Sequence, residues 1–360
     1  MAPPTVSGRS EHGTPVELEV AGRTVTVSSP DKVFFPGHGD TKLDLVRYYL
    51  SVGDALMGAM GGRPVMLQRF PDGVGGNDFF QKRIPRSAPD WLRTTVVSTP
   101  NGTTSDALVV DDLAHVVWAV GQGCLGFHVW PYRADAPPAT DRVVDPGPIV
   151  APEAVDELRV DLDPQPGVTF DDVRAAASAT RALLVELGMA PVVKTSGNRG
   201  LHVYVPLLPR WDAVTVRAAA VTLARELARR HPDLCTDAWW KEQRGRRVFV
   251  DFNQNAPHKT VFGAWSARPR AGAQVSCPVG WNELATVSPD ELTIGTVPGR
   301  VAAGGDPWAV ARSEPSDLTP LLELWAAERA AGRPDAPWPP VYPKMPDEPP
   351  RVAPSRARPR

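Results

Sequence analysis

The chain has 360 residues, 42% of them hydrophobic and 22% charged, with a formal net charge of −2. That composition supports a sizeable globular core and excludes a disordered or collagen-like chain. The near-neutral balance excludes attraction to polyanions by the overall field, so any nucleic-acid contact must come from local basic patches. Three widely spaced cysteines (Cys124, Cys235 and Cys277) with no CxxC pair argue against a disulfide framework or a zinc site and suit a reducing cytoplasm.

Residues 1–14 are small and polar and are expected to be disordered, and they lack the apolar region of a secretory leader. "VELEVAGRTVTVSS" alternates around Ala21-Gly22 and reads as a β-hairpin. "DTKLDLVRYYLSVGDALMGAM" reads as a helix, with Leu43, Val46 and Leu50 at helical spacing and Asp40 or Thr41 as N-cap. "RPVMLQRFP" reads as a strand and "GVGGND" as a glycine-rich loop. The longest run without a charged residue, Ala114 to Tyr132, carries His115, Gln122 and His128. It reads as a buried helix followed by a strand, not a membrane span.

"TFDDVRAAASATRALLVELG" is the clearest helix, with a capping box at Thr169 and Asp172 and Gly188 at C′. Strands "LRVDLD", "PVVKT" and "LHVYVPL" flank it, "WDAVTVRAAAVTLARELARRH" reads as an amphipathic helix, and "RRVFVDF" as a further strand. Alternating strands and helices indicate a mixed α/β class. The domain proper is expected over 15–300, with a helical segment packed on it over 301–332. From Arg333 ten of the forty prolines fall within 28 residues. This tail is expected to be extended and unable to act as a core element, although Trp338 and Tyr342 could anchor it to the surface.

Alternation places Leu158, Val160 and Leu162 of "LRVDLD" on one face and Arg159, Asp161 and Asp163 on the other. The two aspartate Cβ atoms then lie roughly 6–7 Å apart on one side, a spacing that lets carboxylates converge on divalent cations. "RRVFVDF" puts Arg247, Phe249 and Asp251 on one face, and "LHVYVPL" turns His202 and Tyr204 away from its aliphatic row. If these strands share a sheet, Asp161, Asp163, Asp251 and His202 line one cleft. A lone D-x-D arises often by chance as a cap or a solvated strand face, and a single Asp251 or His202 is more commonly structural. Lys194 to His202, "KTSGNRGLH", joins two strands through Gly197 and Gly200. Ser196, Arg199 and its amides could cradle phosphates, or the loop could be a plain glycine-rich turn; no Walker-type ending is present. Arg244, Arg246 and Arg247 form a basic cluster that could meet DNA or be a solvated strand entrance.

Together "VDLDP", "KTSGNRGLHVYVP" and "RRVFVDFNQNAPHKTVFGAWSARPR" resemble the polymerase domain of bacterial ligase D, of the archaeo-eukaryotic primase superfamily. The resemblance extends upstream to "DKVFFPGHGDTKLDLVRYY", "RFPDGVGGNDFFQKRIP" and "GFHVWP" and covers roughly 15–300. It implies a primase-polymerase fold: central mixed and antiparallel sheets flanked by helices, with an acidic cleft between them. It implies Asp161, Asp163 and Asp251 as catalytic carboxylates binding two Mn2+ or Mg2+ ions, with His202 beside them. Ser196, Arg199, His128, Gln254 and Arg268 would meet the incoming nucleotide. Lys32 and Lys42 would bind a 5′-phosphate across a DNA gap, Phe79 and Phe80 would pack on the templating base, and Lys82 would support the strand. Without the resemblance, "FFQK" reads first as a core aromatic pair and the two lysines as surface residues. Arg199 stands where many relatives have lysine, and Gln68 where relatives often carry a base.

The activity so implied is metal-dependent addition of nucleotides, preferentially ribonucleotides, to primer ends at gaps and double-strand breaks in non-homologous end joining. Ku and a separate ATP-dependent DNA ligase are the implied partners, since no ligase or nuclease region is recognisable, and the implied location is the cytoplasm, at the nucleoid. A stand-alone primase or translesion primer-maker would use the same carboxylates. A non-catalytic DNA-end-binding module would not need all three, and a two-metal nuclease would not need the phosphate-facing Ser196, Arg199 and Arg268.

Overall fold

The structure, a computed structural model, describes residues 13–345 and 348–351. The expectation of disorder over 1–14 therefore falls almost wholly outside the described residues. The hairpin is present as β1 (Val16–Val20) and β2 (Arg23–Val27). Its turn residues Ala21 and Gly22 both take positive φ, the tight hairpin geometry that matches strand twist. Strands β3 (Val33–Phe35) and β4 (Asp40–Thr41) lead into α1 (Lys42–Ser51), whose N-terminus is closed by a reciprocal capping box of Thr41 and Asp44. The helix expected to continue to Met60 is divided, and α2 (Gly53–Met60) restarts after Val52. At Gly53 the backbone lies so close to Leu113 that a Cβ would approach it to 2.5 Å.

A first sheet is built from β5 (Pro64–Arg69), β6 (Phe79–Gln81), β7 (Thr94–Ser98), β8 (Thr104–Val109) and β9 (Cys124–Val129), with α3 (Leu113–Gly121) preceding β9. The run from Ala114 is thus a buried helix and a strand. Among the described residues no helix is long and apolar enough to cross a membrane. The second sheet takes β10 (Glu157–Pro164), β11 (Val192–Thr195), β12 (Leu201–Pro206), β13 (Cys235–Thr236) and β14 (Val248–Asp251). Its order is β13-β14-β10-β12-β11, extended by β16 (Pro278–Val279), and only β13 and β14 run parallel. Strand β15 (Val261–Phe262) links the two sheets. It pairs with β9 in the first, and its Phe262 carbonyl accepts a hydrogen bond from Lys194 of the second.

Helix α4 (Phe170–Glu186) carries the expected Thr169–Asp172 box, and Gly188 beyond it has φ +75°. It packs with α5 (Ala213–Arg230) on the aliphatic face of β10 and β12, where Leu158, Val160 and Leu162 are buried. Helix α5 departs from its expected amphipathic character and is buried on nearly all sides. Its outer face is covered by α9 (Thr319–Ala330) and by the proline-rich segment, so Arg225 pairs with Glu328 and Arg217 with Asp335 away from solvent. Short helices α6 (Lys241–Arg244), α7 (Val297–Gly304) and α8 (Ala309–Ser313) complete the described chain. The expectation that the tail could not serve as a core element is corrected. Trp338, Tyr342 and Met345 are buried with Ile149, Val214 and Ala256 in a small second cluster. Apolar area on one aromatic pair is sufficient to seat an extended chain that forms no regular element of its own.

Candidate active site

The register of the second sheet brings the acidic residues together. Asp161 of β10 is the direct ladder partner of His202 on β12 and of Asp251 on β14. Asp163, two residues on and exposed, projects from the same face. The three carboxylates line one cavity of about 410 Å³, with Trp239, Lys241 and Lys259 around its rim. Burial pushes the Asp161 carboxyl up to about 7, and the charges of Asp251 and Asp163 push in the same direction. Asp251 is raised too, again chiefly by burial, against hydrogen bonds from the Asn253 amide and the Gln254 side chain. As they stand, no three His, Cys, Asp or Glu side chains among the described residues are close enough to cage a metal ion. The donor set itself is three hard carboxylates on one face, the chemistry Mg2+ and Mn2+ take, and their mutual repulsion is what a cation relieves.

Beneath Asp161 lies Lys194, fully buried and not singled out by sequence reasoning. Its ammonium nitrogen reaches His202 Nδ1 at 2.9 Å, the Phe262 carbonyl at 3.0 Å and Ser276 Oγ at 2.5 Å. The Ser276 hydroxyl donates to the Thr195 carbonyl, so its oxygen is left to accept. Burial pushes Lys194 well below its ordinary range, yet three acceptors around one nitrogen match the three donors of the ammonium, the form that the nearby Asp161 favours. Nδ1 of His202 is an acceptor in this arrangement, which leaves the ring proton on Nε2, 3.4 Å from Asp161 Oδ1. Burial and the neighbouring Lys194 cation push His202 well below its ordinary range, holding the imidazole neutral. Strand alternation marks Lys194 as sharing the face of Ser196, but its tertiary partners are not encoded locally.

Ser196 is buried, and its hydroxyl oxygen accepts from the amides of Asn198 and Gly200, shaping the loop around itself. Its carbonyl accepts from Arg268 Nε at 2.6 Å. Gly197 is held at φ +70°, where a Cβ would meet the Arg268 side chain at 2.5 Å. Arg268 stacks on Phe262 at 3.7 Å, and burial lowers it to about 10. His128, opposite Phe262 across the β9–β15 ladder, stands edge-on between Phe262 and Phe80. Burial, with the nearby Arg268 charge, lowers His128 to about 4. Phe79 and Phe80 are 45% and 53% exposed, which rules out the core-pair reading of "FFQK". Lys82 lies nearby and bears on His258, which burial lowers to about 4.

Arg199, Gln254, Lys42 and Lys32 each have surroundings of their own. Arg199 is exposed and lines a neighbouring groove with Asn198, Arg174 and Arg270, outside the carboxylate cavity. Gln254 lines the carboxylate cavity and directs its amide onto Asp251 Oδ2 at 3.0 Å, so it orients a carboxylate there. Lys42 is buried; its ammonium caps the Ser28 and Gly121 carbonyls and lies over the Phe34 ring. Burial lowers its affinity for a proton, as does Lys32 close by. Lys32 itself pairs with Asp72 at 2.7 Å at the surface. Within the basic cluster, Arg244 is buried, stacked on Phe249 at 3.5 Å and bonded to the Ala238 and Trp239 carbonyls.

These features can be set beside known proteins. Residues 41–308 match the family described as LigD, primase-polymerase domain. The multifunctional non-homologous end joining DNA repair protein LigD of Mycobacterium tuberculosis is 35% identical over 286 residues, 78% of this chain and 36% of the relative. The bifunctional LigD of Bacillus subtilis is 30% identical over 294 residues, 81% of this chain and 44% of the relative. The chain therefore spans less than half the length of these relatives. A solved structure, the polymerase domain from Mycobacterium tuberculosis ligase D in complex with DNA, superposes with a TM-score of 0.72 at 32% identity. That match covers 81% of this chain and 99% of the other. The chain belongs to the LigD primase-polymerase domain family.

Proposed function

We propose that the protein is a nucleotidyltransferase that adds nucleotides, preferentially ribonucleotides, to primer 3′ ends at DNA gaps and breaks during non-homologous end joining. The observation that carries this reading is the row His202–Asp161–Asp251 across three adjacent strands, with Asp163 on the same face. The relatives' names supply the repair context, and the related structure is of a complex with DNA. Ku and an ATP-dependent DNA ligase activity are the partners this reading implies.

Asp161, Asp163 and Asp251 would hold two Mn2+ or Mg2+ ions. Such ions supply activation of the attacking hydroxyl and charge neutralisation at the transferring phosphate. The chain's own residues divide the remaining work. Arg268, held by Phe262 and the Ser196 carbonyl, presents a fixed cation to the triphosphate, and the Ser196 hydroxyl proton is available to a phosphate oxygen. His202, kept neutral, orients Asp161 through its Nε2 proton. Phe79 and Phe80 offer exposed rings on which an unpaired base can stack without being read. Lys32 is the cation presented to a 5′-phosphate; Arg199, in its adjoining groove, reaches the triphosphate only if its side chain swings across.

The deciding experiment is extension of a gapped, 5′-phosphorylated duplex, comparing ribo- with deoxynucleotides and Mn2+ with Mg2+. Ribonucleotide addition that requires the metal and disappears in Asp163→Ala supports the reading. Absence of incorporation with either metal, despite retained DNA binding, rejects it in favour of an end-binding module.

A further inference from the structure

We propose that the proline-rich segment from Asp335 to Arg351 is a structural wall of the catalytic cleft that sets the position of Asp251 through Asn253, an inference that rests on the polymerase reading above. The segment lies beyond the residues matched by the family.

Proline has no N–H, so such a segment offers carbonyl acceptors and few donors. Two arginines supply the donors. Arg217 of α5, fully buried, bonds the Asp335 carboxylate at 3.1 Å and the Ala336 and Pro337 carbonyls at 2.9 and 3.2 Å, and stacks on Trp338 at 3.9 Å. Arg351 closes the other end. It bonds the Pro339, Tyr342 and Pro343 carbonyls and the Glu348 carboxylate, and Glu348 in turn accepts from the Trp338 and Met345 amides. The described parts of the segment, 335–345 and 348–351, are thus bonded to one another and to α5.

Its hydrogen-bonded link to Asp251 runs through Asn253. Asn253 donates Nδ2 to the Pro337 carbonyl at 3.0 Å and accepts at Oδ1 from Arg217 Nε at 2.8 Å. The backbone amide of the same residue donates to Asp251 Oδ1 at 2.9 Å. The neighbouring Asn255 is bonded to the backbone of Arg159 on β10. The turn at 252–255 is thus clamped between the acidic strand and the proline segment. Pro339 and Pro340 line the carboxylate cavity directly, and Trp239 on its rim donates to the Arg351 carbonyl.

The charges distinguish a wall from a plug. A plug would set a cation on the carboxylates, whereas Arg351 is consumed by Glu348. Among the described residues no cation of the segment pairs with Asp161, Asp163 or Asp251. Asn253 and Arg217 are therefore positioning residues, acting on the reaction through Asp251.

The test compares the full chain with Trp338→Ala and with Asn253→Ala. Manganese affinity is read by electron paramagnetic resonance of the free ion, extension by kcat and nucleotide KM, and release of the segment by trypsin cleavage after Lys344. Trp338→Ala loosens the backbone around Lys344, whose side chain is already at the surface, so that trypsin cuts there, and it lowers Mn2+ affinity and kcat about tenfold, the usual cost of losing an outer support of a metal ligand. Nucleotide KM stays within about twofold, because Ser196 and Arg268 lie on the opposite side of Asp161. Asn253→Ala gives the same loss with the segment still protected, which keeps the test decisive if Trp338→Ala does not fold. Wild-type Mn2+ affinity and kcat in Asn253→Ala overturn the proposal, as does a rise in kcat in Trp338→Ala, which would identify a plug. If the unaltered protein extends no primer, the polymerase reading fails, and the Mn2+ comparison still decides the role of the segment.

Discussion

Asp161 and Asp251, ninety positions apart in the chain, face each other directly across the β10–β14 ladder. Like charges placed opposite one another on neighbouring strands destabilise a sheet. The arrangement is therefore a local cost carried for chemistry, and it makes the stability of the metal-free protein depend on pH. Asp161 sits at about 7 in the fold, above an ordinary unfolded carboxylate near 3.9. The folded state holds this proton more tightly, so this group's contribution is most favourable below about pH 4 and is lost as pH rises through 7. Asp161→Asn should raise the metal-free melting temperature at pH 8 by on the order of 2–4 °C, with no gain at pH 4. The same variant should extend no primer. Calorimetric melts at the two pH values check the first part, and an equal gain at both would reject the linkage.

Lys194→Met should leave His202 Nδ1, the Phe262 carbonyl and Ser276 without their shared donor. Buried groups stranded in this way cost roughly 1–3 kcal/mol each at most, so the melting temperature falls. Because His202 then loses the bond that selects its tautomer, kcat should fall roughly 10–100-fold while nucleotide KM changes little. Steady-state kinetics on a gapped duplex decide it; a loss confined to KM would argue that Lys194 acts on the nucleotide instead.

Lys32 and Lys42 should separate cleanly. Lys32→Ala removes a surface cation and should abolish preference for a 5′-phosphorylated gap without altering the melt. Lys42→Ala removes a buried ammonium that caps two carbonyls and should destabilise the fold by about 1–3 kcal/mol. Denaturant melts and gap-binding titrations on both variants provide the measurement. Full stability in Lys42→Ala would show that its ammonium turns outward in solution.

Phe79→Ala and Phe80→Ala should be close to neutral for stability, since both rings are about half exposed. Each should weaken binding of a template with an unpaired base by about 1–3 kcal/mol, with little dependence on which base it is. Fluorescence anisotropy with the four template bases tests this; a loss restricted to one base would indicate readout rather than stacking.

Much of this arrangement is visible in local pattern. Period-two alternation in "LRVDLD" separates the buried Leu158, Val160 and Leu162 from the acidic face, because successive strand side chains point opposite ways. Capping boxes at Thr41 and Thr169 are equally local, since each satisfies amides within three residues. The division of the helix before Gly53 was not visible, because the helical spacing runs on through it and the close approach of Leu113 comes from a distant segment. Nor was the burial of Arg217 on α5, since a polar helix face looks solvated until something with matching acceptors covers it.

By itself the sequence determined the fold family, the strands that carry the acidic residues and the face on which each points. Those properties follow from spacing and from motifs whose order the chain preserves. Only the tertiary structure decided that Asp161 stands between His202 and Asp251, that Lys194 lies beneath them, that Lys42 turns inward, and that a tail of prolines meets Asn253. Each of these is a pairing between distant segments, set by strand register and by the need of buried donors and acceptors to find one another, and neither is written in any single stretch of residues.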